Sequence, residues 1–225
     1  MGRMSIDYTN RARAGAPPVP AAVDARAVFG QVMGLVAFTC LFAALGAYVG
    51  RDSSGGAGLI AFLVAFGCLL GLNRAVARSE QLGIGLLFFI GLLLGVGLGP
   101  VLSSYANTDP GVVYQSAAAT AGFVGILGAF GYATKRDLSS WGRYLFFALI
   151  GLIAIGLVSL FVAIPGGNVL YATLGLLVFG GLTIFDFNRL RRSGMDQATL
   201  IAAGIFLDVL NIFQFMLMLF GGGRR

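Results

Sequence analysis

Residues 82–105 read LGIGLLFFIGLLLGVGLGPVLSSY, a run of 24 residues without a single charged side chain. The hydrocarbon core of a bilayer is ~30 Å thick, and an α-helix needs ~20 apolar residues to cross it. The strands of a membrane β-barrel would instead alternate apolar and polar residues in short segments. This continuous run therefore predicts a membrane-spanning helix.

The whole chain shares the composition of this run. Its 225 residues include 15 basic and nine acidic ones, no histidine, and 19 phenylalanines. Soluble domains carry ~25% charged residues, whereas this chain carries 11%. Disordered chains are polar and poor in aromatic residues. Composition therefore excludes both classes and leaves a polytopic membrane protein.

The length criterion, applied along the chain, predicts an all-α integral membrane protein with seven transmembrane helices. The predicted spans are 27–50, 57–73, 82–105, 112–132, 143–164, 169–188 and 197–220. They define one transmembrane domain, 27–221. We expect residues 1–26, which contain four arginines and a proline-rich stretch, to form a flexible cytoplasmic tail, and 222–225 to form a short C-terminal tail.

Two or more basic residues occur in alternate connections between the predicted spans, and the first outer connection carries only Arg51, beside Asp52. Because cytoplasmic connections are enriched in Lys and Arg, the alternation predicts a cytoplasmic N-terminus and an external C-terminus. Arg224 and Arg225 are the exception, since they fall on the predicted outer side. The net charge of +6 follows from this topology and from anionic lipid, so it does not indicate nucleic-acid binding.

Glycine dominates the third span. Gly91, Gly95 and Gly99 are four residues apart, so they form one stripe of small residues that lets a second helix approach closely. Pro100 follows the stripe and is expected to kink or unwind the outer part of the helix. The glycines do not form a phosphate-binding loop, because they lie inside a span and not between a strand and a helix.

Two carboxylates lie inside predicted spans. Asp186 lies near the cytoplasmic end of the sixth, and Asp208 lies at the centre of the seventh. A charge at the bilayer centre costs at least ~2.5–3.5 kcal/mol and normally indicates a functional site. A short turn joins the two spans, so the carboxylates can approach each other. Ionising both carboxyl groups in a shared site without water costs free energy, because two like charges repel each other there. We therefore expect one of them to keep its proton.

Three other interpretations of the aspartates are possible. Asp186 would pair with Arg189 or another basic residue at the membrane face, or Asp208 would hydrogen-bond to Asn211 one turn further along its helix. An intramembrane aspartyl protease also carries one Asp on each of two neighbouring helices, but its second Asp lies in a Gly-x-Gly-Asp motif. Here residues 205–208 are Ile-Phe-Leu-Asp, so we expect no enzymatic activity. Without histidine, no cofactor is expected either.

Three stretches resemble the Bax-inhibitor family (transmembrane Bax inhibitor motif proteins), and its bacterial branch in particular. They are Leu98–Tyr105 after the glycine stripe, Phe185–Leu190, and Leu207–Phe213 with the closing Leu219–Gly221. Their order, spacing and seven-span layout cover about residues 27–221. The resemblance implies a bundle in which the seventh helix is central, in a protein that resides in the bacterial inner membrane.

The resemblance also implies a pH-sensitive passive calcium leak. In this family the paired aspartates of helices six and seven are the sensor, which matches Asp186 and Asp208. An arginine on helix two latches onto them in the closed form. Arg74 and Arg78 both qualify, and the sequence does not choose between them.

Further residues are predicted to act together with the aspartate pair. Calcium requires oxygen ligands, so Asp186 and Asp208 are also the predicted metal ligands, and Asp109 is a candidate at the outer entrance. The polar residues expected to support the pair are Asn188, Arg189 and Asn211.

A second hypothesis is a regulator that does not transport ions. Some bacterial relatives are thought to bind and restrain a membrane-anchored protease, and residues 1–26 would then be the binding segment. The lipid bilayer is a partner under either hypothesis, and the oligomeric state stays open.

Overall fold

The computed structural model describes residues 25–159, 161 and 166–222, so nearly all of the predicted tail 1–26 lies outside it, as do residues 223–225 with Arg224 and Arg225. Within the described ranges the elements are helices. They are α1 (Ala25–Gly50), α2 (Gly55–Arg78), α3 (Glu80–Thr108), α4 (Pro110–Ala133), α5 (Trp141–Ser159), α6 (Gly167–Leu190) and α7 (Ala198–Gly222), with a short 3-10 turn at Met195–Gln197 before α7.

All seven helices are long and apolar enough to cross a membrane, which confirms the predicted fold class. Most extend beyond the apolar runs because polar residues continue or cap them. Ser54 accepts a hydrogen bond from the Ala57 N–H at the start of α2, and Asp109 accepts one from the Gly111 N–H at the start of α4. The fifth helix is described only to Ser159, and Phe161 lies in a turn within the predicted remainder.

The glycine stripe of α3 faces α1, and these two helices form the most extensive packed pair. A methyl group at Gly95 would overlap the backbone carbonyl of Ala43, and one at Gly91 would lie 2.8 Å from the Thr39 carbonyl oxygen. The helix does not unwind at Pro100 but continues to Thr108. Membrane helices tolerate proline where neighbouring segments surround the freed backbone group, and α1 passes close to this point.

α7 lies at the centre of the bundle, as predicted. It packs against α1, α3, α4 and α6 and touches α2. In the most apolar part of each helix, 61% of the residues of α7 are buried, against 6% in α5. α5 packs chiefly on α6, so most of its surface is left for lipid.

Asn188 joins the end of α6 to the end of α4 and the segment that follows it. The side chain is 1% exposed, and its amide donates to the carbonyls of Gly131, Thr134 and Arg136 at 3.3, 2.9 and 3.1 Å. Its own oxygen accepts the Leu138 N–H at 3.2 Å. The last carbonyl groups of a helix have no hydrogen-bond donor within that helix. The Asn188 side chain supplies such a donor at the end of α4.

Arg192 extends this contact, which we call the α4–α6 clamp (Asn188, Arg192, Asp137 and Ser139). Its guanidinium donates to the Asn188 side-chain oxygen at 2.8 Å and forms an ion pair with Asp137. The pKa of Asp137 is lowered to about 2, because Ser139 donates hydrogen bonds to it and Arg192 lies beside it. Asp137 therefore stays ionised at neutral pH and keeps the clamp closed.

Replacing Gly95 with alanine should separate α1 from α3. The new methyl group meets backbone and not a flexible side chain, so we expect a loss of about 1–3 kcal/mol in stability. Thermal unfolding of the purified protein in detergent measures it. Gly85→Ala on the same helix is the control, since nothing lies within 4 Å of that position. Equal melting temperatures for the two variants would contradict the close-packing role.

Replacing Asn188 with alanine should open the α4–α6 clamp. The change leaves buried backbone groups without partners, which costs about 3 kcal/mol. We expect a lower melting temperature and faster proteolysis between α4 and α5. Asn107→Ala serves as the control, because Asn107 is exposed and makes a single long bond of 3.5 Å. Unchanged proteolysis of the Asn188 variant would show that the clamp does not hold this segment.

Candidate functional site

Asp208 lies in the middle of α7 and is 3% exposed. It is the eleventh residue of the helix, about 15 Å from its start at 1.5 Å per residue. Its Oδ2 has no hydrogen-bond partner in the described part of the chain; the neutral hydroxyl of Ser116 shares this condition. A buried carboxylate normally accepts several hydrogen bonds, so an unpartnered oxygen here is unusual.

Asp186 reaches the same interface from α6. Its carboxyl group packs directly against Gly204, where a methyl group would overlap Oδ2. Gly204 precedes Asp208 by four residues, so it lies one helical turn away on the same face of α7. The two carboxyl groups are close enough for their charges to interact. The structure therefore brings together the two aspartates that the sequence singled out.

Thr183 completes the buried surroundings of the pair. It is fully buried on α6, beside the Asp208 carboxyl group, and its hydroxyl donates to the Phe179 carbonyl at 2.8 Å. Arg189 is the charged group that acts on Asp186 from the membrane face.

The two simpler pairings considered from sequence are not formed. Arg189 is exposed, and its guanidinium donates to the Gln197 side-chain oxygen at 3.3 Å; within the described residues it makes no ion pair with Asp186. The Asn211 amide donates back to the Leu207 carbonyl at 2.8 Å. Neither residue partners the carboxylates, and Asn188 belongs to the α4–α6 clamp.

Arg74 and Arg78 do not reach the pair in this arrangement. Both side chains are exposed, and α2 packs mainly against α3. In the described ranges neither arginine forms an ion pair with Asp186 or Asp208. The latch therefore stays a prediction that follows from family resemblance.

The described residues contain no cluster of three or more carboxylate or thiol ligands. Asp186 and Asp208 would therefore hold a cation only with water or backbone oxygens in addition. Two carboxylates fall short of the 6–8 oxygen ligands that calcium takes.

A cavity of about 610 Å³ lies at the opposite end of α7, and both polar and apolar residues line it. Its polar lining residues come from several helix ends and include Ser104, Thr108, Asp109 and Asn168. Met218, another lining residue, is ten residues beyond Asp208 and thus about 15 Å away along the helix. Buried Ile212 and Phe215 lie between, so the cavity and the aspartate pair are separate here.

Sequence reasoning missed Gly204 and Thr183. The signal for Gly204 was present, because it stands four residues before Asp208 and a small residue there admits a side chain from the facing helix. Thr183 carried no signal, since a buried threonine commonly bonds to its own helix backbone.

Comparison with known proteins agrees with this architecture. The model of a family described as Inhibitor of apoptosis-promoting Bax1 matches residues 25–225. A protein of Caulobacter vibrioides is 34% identical over 143 residues, which is 59% of this chain and 56% of that protein. The inner membrane protein YbhL of Escherichia coli K12 is 29% identical over 179 residues, 74% of this chain and 75% of YbhL.

A membrane protein of Vibrio cholerae is 30% identical over 172 residues, 68% of this chain and 77% of that protein. The family match covers the seven described helices and includes both aspartates. The chain is therefore an integral membrane protein that belongs to the Bax-inhibitor-like family.

Proposed function

We propose that this protein is a pH-sensitive passive leak for calcium or a similar cation, gated by Asp186 and Asp208. The observation that carries the proposal is the unpartnered, buried Oδ2 of Asp208 beside a second carboxyl group. A purely structural carboxylate would have acquired hydrogen-bond donors. An unsatisfied one destabilises the bundle, and such strained groups concentrate at functional sites.

Proton binding changes the force between α6 and α7. Two ionised carboxylates in a dry interface repel each other, whereas a shared proton lets them remain close. Arg189, three residues further along α6, carries a positive charge near Asp186. The protonation state of the pair therefore biases the spacing of the two helices, and Arg74 or Arg78 would add to this bias if α2 moved inward.

The cavity at the outer end of α7, whose lining includes Ser104 and Asp109, is the proposed entrance. Hydroxyl, amide and carboxylate oxygens are the ligands that calcium takes. Ile212 and Phe215 close the route towards Asp208, so this arrangement corresponds to a closed state. Opening requires these apolar side chains to move aside, which a change in the α6–α7 spacing would allow.

The topology and location are part of the proposal. Because basic residues concentrate at one end of the bundle, we place that end and the N-terminus in the cytoplasm, and the C-terminus outside. The resemblance to an inner membrane protein supports the bacterial inner membrane as the location. In this role the protein is a passive pathway and not an enzyme.

Replacing either aspartate with asparagine should flatten the pH response of calcium flux. Asparagine keeps the size of the side chain but cannot take up or release a proton in this range. Proteoliposomes that contain a calcium indicator, assayed from pH 5 to pH 8, provide the measurement. Asp52→Asn is the matched control, because it makes the same replacement at an exposed carboxylate that lies outside α6 and α7.

A pH response in Asp186→Asn and Asp208→Asn equal to that of the wild type would show that the pair is not the sensor. If the wild type carries no flux at any pH, the leak itself is wrong. The regulator hypothesis then becomes the one to test, by pull-down of a membrane-anchored protease with and without residues 1–26.

Replacing Gly204 with alanine should alter the sensor without unfolding the protein. The new methyl group meets the end of the Asp186 side chain, which can rotate away. We therefore expect a wild-type melting temperature with a shifted pH midpoint of flux. Gly151→Ala, at an open position on α5, is the control. An unshifted midpoint would show that the contact between Asp186 and Gly204 does not set the response.

A further inference from the structure

A large apolar cleft separates α1 from α4, with α6 and α7 as its floor. Its volume is about 830 Å³. The α4 wall consists of small residues such as Ala121 and Gly125, and the α1 wall carries Phe29 and Met33. A methyl group at Gly125 would meet nothing within 4 Å, so this wall is open.

The two walls touch at one end of the cleft. There the rings of Phe29 and Tyr132 touch edge to face, with centroids 5.1 Å apart, and Arg26 lies at the same end of the cleft. Tyrosine and arginine are typical of the boundary between lipid tails and headgroups. The cleft therefore begins at the basic membrane face and runs inward along α4.

The length of the cleft suits a lipid tail. Its α4 wall extends from Ala117 to Ala133, about 24 Å at 1.5 Å per residue. One leaflet of the hydrocarbon core is about 15 Å deep, half of the ~30 Å total. Ala121, Gly125 and Ala129 are exposed along this wall, so a tail can enter sideways from the bilayer.

We propose that this cleft binds one anionic phospholipid from the leaflet at the basic end, with an acyl chain along α4 and the phosphate at Arg26. A positive side chain at the mouth attracts a headgroup of net negative charge, whereas the phosphate of a zwitterionic headgroup is offset by the ammonium group of the same lipid. A second copy of this chain is a poorer occupant, because a symmetric parallel dimer through this face would bring two Arg26 side chains to the same membrane depth.

The site is distinct from the aspartate pair and does not depend on the leak. Its floor includes Phe187 and Val209, the residues that follow Asp186 and Asp208 in the chain. Successive residues of a helix point about 100° apart, so the lipid would touch the same two helices on another face. Binding is therefore measured directly and not through flux.

The test is native mass spectrometry of the full-length protein in detergent, titrated with phosphatidylglycerol or phosphatidylcholine. We expect one phosphatidylglycerol to bind more tightly than the rest. Gly125→Leu fills the cleft and should weaken that first site at least tenfold. Gly122→Leu is the matched control, since it adds the same side chain in open space on the same helix, outside the cleft.

A second pair of variants tests the headgroup. Arg26→Ala should reduce the preference for phosphatidylglycerol about fivefold, whereas Arg143→Ala, at the same membrane face but outside the cleft, should not. Ala121→Leu replaces Gly125→Leu if the latter fails to fold. Equal lipid binding by the cleft variants and by Gly122→Leu overturns the proposal, as does a dimer signal that Gly125→Leu abolishes in place of lipid binding.

Discussion

Lipid offers no hydrogen-bond partner to a peptide group or a buried polar side chain, and the rest of this structure depends on that constraint. The described spans are helices because a helix satisfies its backbone groups internally. Several buried hydroxyl groups follow the same rule within their own helix, as Thr39 does with the Leu35 carbonyl at 2.7 Å and Thr120 with the Ser116 carbonyl at 2.7 Å. Oδ2 of Asp208 and the hydroxyl of Ser116 are the buried side-chain atoms without such a partner in the described part of the chain, and of these two only Oδ2 belongs to an ionisable group.

Small residues serve three different purposes in the bundle. Gly95 brings the backbone of α3 against that of α1, so that dispersion contacts hold the two helices together. Gly204 leaves room for a polar side chain from α6, which places one carboxylate next to another. Gly125 faces open space and shapes a cleft. The neighbour of each glycine, and not the glycine itself, decides which purpose it serves.

The α4–α6 clamp lies at the basic end of the bundle. Asn188 and Arg192 hold the end of α6 against the segment after α4 through bonds to backbone carbonyls and an ion pair with Asp137. Asp186 lies two residues before Asn188, so one member of the pair sits on an anchored element. The other member, Asp208, lies on α7, which is at the centre and contacts most of the other helices.

Segment length, apolar character and charge placement determined the helical class and the number of spans, because every segment must cross the same thickness of bilayer. The same properties singled out the two aspartates inside the spans. Local sequence also indicated the glycine stripe. Only the tertiary structure decided what each of these features contacts. In the folded protein the glycine stripe packs against α1, and Asn188 binds the end of α4. Arg74 and Arg78 are exposed and lie away from the aspartate pair. Such choices depend on which helices become neighbours in space, and that depends on packing across the whole bundle and not on any one segment.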